Sequence, residues 1–129
     1  MAKVLIVEDD EALRNVFSLI VKRGRHKVVL AQDGEEGLQQ LKTFSPDIVL
    51  LDMLMPVKSG LEFLQEANVK KQYPDTTVIL LSNLSESQTI DEGLRLGAVQ
   101  HLIKSNILPT DLLDTIATYI KAKEAPKKK

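Results

Sequence analysis

The sequence contains no cysteine and no tryptophan, and only 4% of its residues are aromatic. The absence of cysteine excludes disulfides and thiolate metal sites, and it permits a reducing compartment. A formal net charge of -1 gives no overall field that would attract nucleic acid or a membrane surface. No hydrophobic run approaches the ~20 residues that a membrane-spanning helix needs. The N-terminus MAKVLIVEDD is too short and too acidic for a secretory signal. We therefore expect a cytoplasmic domain that binds neither nucleic acid nor membrane.

What is present is typical of a globular domain with a substantial core. The chain has 129 residues, of which 43% are hydrophobic and 27% are charged. No composition shift marks a second domain, so we predict one domain over residues 1–122. The basic segment that follows, residues 123–129, is predicted to be a disordered tail. A chain of this kind either acts alone or is part of a longer protein, and both remain open.

Short apolar runs alternate with segments of helical periodicity along the chain. The apolar runs are continuous, which indicates strands buried on both faces of a sheet. A capping pattern at Asp33, another at Ser85 and Gln88, and Pro109 at the start of the last segment mark helix N-termini. This alternation of strands and helices predicts a single doubly wound α/β domain, (βα)5 and flavodoxin-like. Its five-stranded parallel sheet has the order 2-1-3-4-5 with helices on both faces, and the predicted strands are 4–7, 27–31, 48–51, 78–81 and 99–103.

Polar residues follow four of these strands, on the side where open parallel sheets bind ligands. Asp9 and Asp10 follow the first strand, and Asp52 follows the third, which is the most hydrophobic segment of the chain. Ser82 follows the fourth strand and Lys104 the fifth. In the order 2-1-3-4-5 the first and third strands are neighbours, so the three carboxylates are expected to converge, with Ser82 and Lys104 beside them.

These groups together match the requirements of phosphoryl transfer. Crowded carboxylates repel unless a cation lies among them, and Mg²⁺ prefers oxygen ligands, waters and a phosphate; Mn²⁺ is an alternative. Asp52 is then the nucleophile, Lys104 pairs with phosphoryl oxygens, and the Ser82 hydroxyl donates to one of them. Each residue also has a simpler interpretation, as a helix-opening acid, a turn hydroxyl or a surface lysine. The conjunction of complementary groups at separate strand ends favours the functional interpretation.

At these residues the sequence resembles the response-regulator receiver domains of two-component signalling, from about residue 3 to residue 122. The matching segments are VLIVEDD, DIVLLDMLMPVKSG, VILLSN and LGAVQHLIKS. The most specific feature is the D-x-x-M-P-x-x-x-G spacing of Asp52, Met55, Pro56 and Gly60. The resemblance implies that Asp52 is the phospho-acceptor, that Lys104 assists it and that Ser82 is a switch hydroxyl. The metal ligands that it implies are Asp9, Asp10, Asp52 and the backbone carbonyl of Leu54.

Three positions depart from the family pattern. The family usually has proline after the lysine, often through a cis bond; here the residue is Ser105. Because a cis bond before a non-proline residue costs roughly 2.5–4 kcal/mol, the Lys104–Ser105 bond is predicted to be trans. Asn83 replaces a small residue next to Ser82 and is expected either to crowd the site or to hydrogen-bond into it. The switch position on the fifth strand is His101, where the family usually has tyrosine or phenylalanine. It is either a half-buried strand residue or a group that rotates inward when Ser82 moves.

The resemblance implies a phosphorylation-activated signalling switch, not an enzyme in the usual sense. Its phosphodonor would be a sensor histidine kinase or a histidine phosphotransfer protein, and its downstream target is a protein of unknown identity. Phosphorylation would change the surface of the fourth helix, fifth strand and fifth helix. A phosphatase of the Asp-nucleophile class is disfavoured because Leu54, not an acid, lies two residues after Asp52. A nucleotide- or flavin-binding module would need a glycine-rich loop after the first strand. The remaining alternative is a degenerate receiver that binds partners without phosphorylation.

Overall fold

Strands and helices alternate in the computed structural model, which describes residues 2–83 and 87–124. The strands are β1 (Lys3–Val7), β2 (Lys27–Ala31), β3 (Ile48–Asp52), β4 (Thr77–Ser82) and β5 (Gln100–Ile103). The helices are α1 (Glu11–Arg23), α2 (Gly34–Phe44), α3 (Gly60–Ala67), α4 (Val69–Gln72), α5 (Ser87–Arg95) and α6 (Pro109–Glu124). A 3-10 turn, Lys104–Asn106, follows β5 directly.

The strands form one parallel sheet in the order β2-β1-β3-β4-β5, which confirms the predicted doubly wound topology. The register pairs Val7 with Leu51 across β1 and β3. It pairs Asp52 with Leu81 across β3 and β4. The carboxyl ends of these three central strands therefore lie at one edge of the sheet, where the predicted polar groups were expected to meet.

Two hydrophobic clusters cover the two faces of the sheet, because successive side chains of each strand point to opposite sides. One cluster contains Leu5 and Leu51 together with Phe63 of α3. The other contains Ile6 together with Leu112 of α6. Every side chain of β3 is buried, as the continuous apolar run predicts. The helices α2, α3 and α5 pack on the first face and α1 and α6 on the second.

Helix boundaries follow the local signals in the sequence. The Asp33 side chain caps α2, where its Oδ1 accepts the Glu36 N–H at 2.9 Å, as predicted. Pro109 is the first residue of α6. At this position a backbone N–H has no partner within the helix, so proline costs no hydrogen bond. Gly97, two residues after α5, has a φ of +124°, a conformation that favours glycine.

The structure also differs from the sequence-based expectation in detail. Asp52 and Ser82 are the last residues of β3 and β4 and do not lie beyond them. The one-turn helix α4 was not predicted. It follows Asn68, whose φ of +49° ends α3 and turns the chain at once into a new helical turn. The predicted fourth and fifth helices are therefore α5 and α6.

Some predictions concern residues at the limits of the described chain. Ser85, the first residue of the predicted capping box, lies outside the described residues. The last helix continues to Glu124, two residues into the predicted tail, and residues 125–129 lie outside the described part. None of the described helices has the length and apolar character needed to cross a bilayer.

Candidate functional site

Asp52 ends the most hydrophobic strand, and its side chain is only 2% exposed. Its Oδ1 lies 2.8 Å from Nζ of Lys104 and accepts the Leu54 N–H at 3.3 Å. Its Oδ2 is buried and has no hydrogen-bond partner among the described residues. A buried carboxylate is costly unless it is paired, and Lys104 lowers the cost of ionising this one. One carboxylate oxygen remains for a further ligand.

Lys104 opens the 3-10 turn after β5 and reaches across the sheet edge to two carboxylates. Its Nζ lies 2.8 Å from Oδ1 of Asp52 and 2.8 Å from Oε1 of Glu8, and its side chain is 13% exposed. The described chain contains no cis peptide bond, so the Lys104–Ser105 bond is trans, as predicted. Serine in place of proline therefore does not prevent the ammonium group from entering the site.

The acidic group at this edge consists of Glu8, Asp9 and Asp52, whose ligand atoms all lie within 4.8 Å of one another. Glu8 is fully buried, and its Oε2 accepts the Asp10 N–H at 3.1 Å. Asp10 does not belong to this group. Its Oδ1 accepts the Leu13 N–H at 3.1 Å and caps α1. The expected pair Asp9 and Asp10 is therefore not the one that the fold gathers: Glu8 takes the place of Asp10.

The signal that separates these acids was present in the sequence. A helix that begins at residue 11 makes Asp10 its N-cap, and aspartate is a preferred N-cap residue. Glu8, directly after a buried strand, is then left to point into the site. Three oxygen donors of this kind, close together and including one buried oxygen without a partner, suit a hard divalent cation such as Mg²⁺.

Burial and mutual repulsion shift the protonation of the site. Burial, with added repulsion from Glu8 and Asp9, raises the pKa of Asp52 to about 8 even though Lys104 opposes the shift. Burial alone would raise the pKa of Asp9, but its interactions with Asp52 and Glu8 outweigh burial and lower it. Burial alone would lower the pKa of Lys104, but Asp52 and Glu8 raise it. Without a metal ion, the site therefore holds a proton on Asp52 and a charged ammonium group.

Arg14 binds the loop that carries the acids, and no motif in the sequence singled it out. Its Nη1 donates to the backbone carbonyl of Glu8 at 2.9 Å and to that of Asp9 at 3.4 Å. The side chain comes from the first turn of α1. Only the fold brings this side chain back to the preceding loop.

A cavity of about 470 Å³ opens over the carboxylates, and its lining includes Asp52, Leu54, Asn83, Lys104 and Ser105. Asn83 is exposed at the rim of this cavity, and whether it crowds the site or hydrogen-bonds into it stays a prediction. The Leu54 side chain is 57% exposed. A cavity of this size, with carboxylates and an ammonium group in its wall, can hold a phosphoryl group and a metal ion.

Ser82 and His101 occupy different environments. The Ser82 Oγ is fully buried and has no hydrogen-bond partner in the described part of the chain. Such an unpaired hydroxyl is a candidate for a group that gains a partner in another state. His101 is exposed on β5, so the expectation of a half-buried strand residue is wrong. Its inward rotation when Ser82 moves stays a prediction.

Gly60 explains the last position of the D-x-x-M-P-x-x-x-G motif. Its N–H donates to the Met53 carbonyl at 3.1 Å, which closes the loop after β3. A Cβ at this position would lie 2.5 Å from the Asp52 carbonyl oxygen, so any larger residue would displace the backbone of the acid itself. The motif spacing therefore reflects a closed loop that starts and ends at the site.

Comparison with known proteins places this site in a family. The sequence pattern of the response regulator receiver domain matches residues 4–117. The probable C4-dicarboxylate response regulator DctR of Bacillus subtilis is 39% identical over 105 residues, which are 79% of this chain and 45% of that protein. The transcriptional regulatory protein AfsQ1 of Streptomyces coelicolor is 33% identical over 104 residues, 81% of this chain and 45% of that protein. The chain spans less than half the length of these relatives.

Solved structures show the same fold over nearly the whole chain. A response regulator receiver domain protein (CheY-like) from Methanospirillum hungatei has a TM-score of 0.88 at 26% identity, covering 96% of this chain and 97% of that one. The chemotaxis response regulator CheY4 of Vibrio cholerae has a TM-score of 0.82 at 31% identity, covering 92% and 98%. Some relatives are named as transcriptional regulators, so the expectation that this domain binds no nucleic acid stays a prediction. The chain belongs to the response regulator receiver domain family of two-component signalling.

Proposed function

We propose that Asp52 accepts a phosphoryl group from a phosphohistidine on a sensor histidine kinase or a histidine phosphotransfer protein. The observation that carries this proposal is the state of the Asp52 carboxylate. Lys104 and the Leu54 N–H hold Oδ1, while Oδ2 has no partner within the described residues. An oriented carboxylate with free lone pairs, at the wall of a polar cavity, is suited to act as a nucleophile.

The residues that would hold the metal ion are Glu8, Asp9 and Asp52, with the Leu54 backbone carbonyl as the further ligand implied by the resemblance. When bound, Mg²⁺ or Mn²⁺ supplies positive charge that offsets the carboxylates and the phosphoryl oxygens. Arg14 keeps the backbone of Glu8 and Asp9 in place through its bonds to their carbonyls. The sheet edge thus presents a preformed set of oxygen donors.

In the proposed transfer, a carboxylate oxygen of Asp52 attacks phosphorus and the phosphorus–nitrogen bond of the donor breaks. The new bond is an acyl phosphate, and the leaving imidazole of the donor takes up a proton. Lys104 is already 2.8 Å from Asp52 and pairs with the phosphoryl oxygens as they approach. Hydrolysis later returns the carboxylate and releases inorganic phosphate. The protein is a phospho-acceptor with slow self-catalysed chemistry, not an enzyme that turns over a separate substrate.

The output of the proposed switch begins at Ser82. Its buried Oγ gains a hydrogen-bond acceptor when a phosphoryl oxygen comes within reach, and β4 and the residues that follow it adjust to that bond. Because Ser82 lies beside Ile103 in the register, the shift passes to β5 and from there to α5 and α6. This is a population shift that the phosphoryl group drives by contacts available in one state only. The surface of α5, β5 and α6, including His101, then binds a different set of partners.

The test is phosphorylation by a small phosphodonor. We expect that incubation with Mg²⁺ and acetyl phosphate adds one phosphoryl mass to the protein, and that chelation of Mg²⁺ prevents it. The variant Asp52→Asn should gain no phosphoryl mass, because its amide is not a nucleophile. The variant Asp114→Asn removes the same charge from the exposed side of α6 and should be labelled like wild type. Labelling of Asp52→Asn at the wild-type rate would overturn the proposal and favour a phosphorylation-independent interaction module.

A further inference from the structure

Lys58 lies in the loop between β3 and α3, residues 53–59, and is bound to two other elements. Its Nζ forms ion pairs with Glu35 of α2, at 2.9 Å, and with Glu66 of α3. The Lys58 side chain is only 16% exposed, whereas both glutamates are about half exposed. The ammonium group is thus enclosed between two helices and does not extend into solvent as loop lysines usually do. Both pairings raise the pKa of Lys58, the pairing with Glu66 most, so the charge is retained.

The backbone of Lys58 is bound as firmly as its side chain. Its carbonyl accepts the Gly34 N–H at 3.1 Å, at the first residue of α2. A Cβ on Gly34 would lie 2.5 Å from that carbonyl oxygen, so glycine is what permits the approach. Its own N–H donates to the Pro56 carbonyl at 2.7 Å, which closes a three-residue turn around Val57.

That turn is strained. Val57 has a φ of +67°, in the left-handed region that β-branched residues rarely adopt. Its side chain is 78% exposed, so burial of the side chain does not hold this conformation in place. A strained turn persists only when its surroundings determine it. The surroundings here are the contacts of Lys58 on one side and the Gly60–Met53 hydrogen bond on the other.

The geometry points to Lys58 as a positioning residue that sets the metal affinity of the site through the 53–59 loop. This inference rests on the proposed function, because it assumes that Asp52 and the Leu54 carbonyl serve the metal ion. The loop starts one residue after Asp52 and contains Leu54. When its ammonium group no longer pairs with Glu35 and Glu66, Lys58 is held to α2 only through its backbone bond to Gly34, so the strained turn can relax and the Leu54 carbonyl is held less firmly.

The sign of the effect separates positioning from simple electrostatics. Removal of a positive charge near a cation site strengthens cation binding, because a repulsion is lost. Loss of positioning weakens cation binding. The ion pairs involve half-exposed carboxylates, which add little to global stability. The variant Lys58→Met should therefore bind Mg²⁺ more weakly while its unfolding midpoint stays close to that of wild type.

The experiment measures Mg²⁺ binding to the metal-free protein by calorimetry for wild type, Lys58→Met, Lys58→Arg and Lys42→Met. We expect Lys58→Met to bind about threefold to tenfold more weakly, below the 10–100-fold that direct partners of metal ligands contribute. Lys58→Arg keeps a cation that can pair with two carboxylates and should recover most of the affinity. Lys42→Met removes a positive charge from the exposed surface of α2 and should bind as wild type does.

Hydrogen exchange in the metal-free protein gives a second readout that needs no activity. The backbone amides of residues 54, 55, 57 and 58 should exchange faster in Lys58→Met than in wild type, with α6 unchanged. Equal or tighter Mg²⁺ binding by Lys58→Met, or unchanged exchange in the loop, would overturn the inference. If wild type itself binds no Mg²⁺, or is not phosphorylated on Asp52, the proposed function has failed instead, and the two failures are distinct.

Discussion

Nζ of Lys104 joins two buried carboxylates, lying 2.8 Å from Oδ1 of Asp52 and 2.8 Å from Oε1 of Glu8. Asp52 ends β3 and Glu8 directly follows the neighbouring strand β1, and without the lysine the two acids would face each other in the low dielectric of the sheet edge. In the proposed mechanism, Asp52 receives the phosphoryl group, Lys104 pairs with its oxygens and Glu8 helps to hold the metal ion. The contacts that stabilise the resting protein are therefore the contacts that phosphorylation rearranges.

Replacement of Lys104 by methionine should destabilise the metal-free protein. Glu8 and Asp52 lose their shared counter-charge, and we expect the free energy of unfolding at pH 8 to fall by about 3 kcal/mol, the cost of leaving a buried acid without its partner. Mg²⁺ should recover part of this loss, because a dication at the carboxylates replaces the missing ammonium group. Urea unfolding followed by circular dichroism, with and without Mg²⁺, measures both effects. Lys121→Met, at an exposed position of α6, is the matched control, and an equal loss in that variant would contradict the argument.

Stability of the metal-free protein should fall as the pH rises, because of Asp52. Burial, then repulsion from its acidic neighbours, raises its pKa from 3.8 to about 8. Between these values the unfolded chain has released the proton and the folded protein keeps it. The contribution to stability is thus complete below pH 3.8 and is lost progressively up to about pH 8, at up to about 1.4 kcal/mol per pH unit.

The variant Asp52→Asn lacks this titration and isolates its effect. In the presence of a chelator, the melting temperature of wild type should drop relative to that of Asp52→Asn between pH 5 and pH 8. Addition of Mg²⁺ should reduce the difference, because a dication favours the ionised carboxylate. Parallel stability curves for the two proteins across this range would show that Asp52 titrates normally.

A substitution at Val57 should stabilise the protein without changing a residue that lines the site. Glycine adopts a φ of +67° at little cost, whereas valine does not. Relief of that strain exceeds the added freedom of the unfolded chain, so Val57→Gly should raise the free energy of unfolding by about 1 kcal/mol. Val57→Ala, which is not β-branched, should fall between the two. Urea unfolding measures the free energy of unfolding of the three proteins. A glycine variant less stable than wild type would show that the valine side chain makes a compensating contact.

The sequence predicted the fold because its strongest signals are local. Continuous apolar runs identified the buried strands, and strand ends in a known sheet order placed Asp52 beside Lys104. The sequence did not identify the acids that the fold brings together. Glu8, Asp9 and Asp10 are consecutive, and the residue at which α1 begins decides which of them point into the site. Lys58 could not be predicted at all, because its two ion-pair partners lie on α2 and α3 and no sequence pattern links them to Lys58.

The hydroxyl of Ser82 should matter to the switch and not to the resting fold. Its Oγ is buried and makes no hydrogen bond within the described chain, so Ser82→Ala removes no interaction. We expect the free energy of unfolding to stay within about 0.5 kcal/mol of wild type, or to rise slightly as an unsatisfied polar group is lost.

With Mg²⁺ and acetyl phosphate, Ser82→Ala should still gain a phosphoryl mass on Asp52. The accompanying change in hydrogen exchange of α5, β5 and α6 should be much smaller than in wild type, because alanine cannot donate to a phosphoryl oxygen. Ser105→Ala removes an exposed hydroxyl at the rim of the same cavity and should respond as wild type does. A full exchange response in Ser82→Ala would place the trigger of the switch elsewhere.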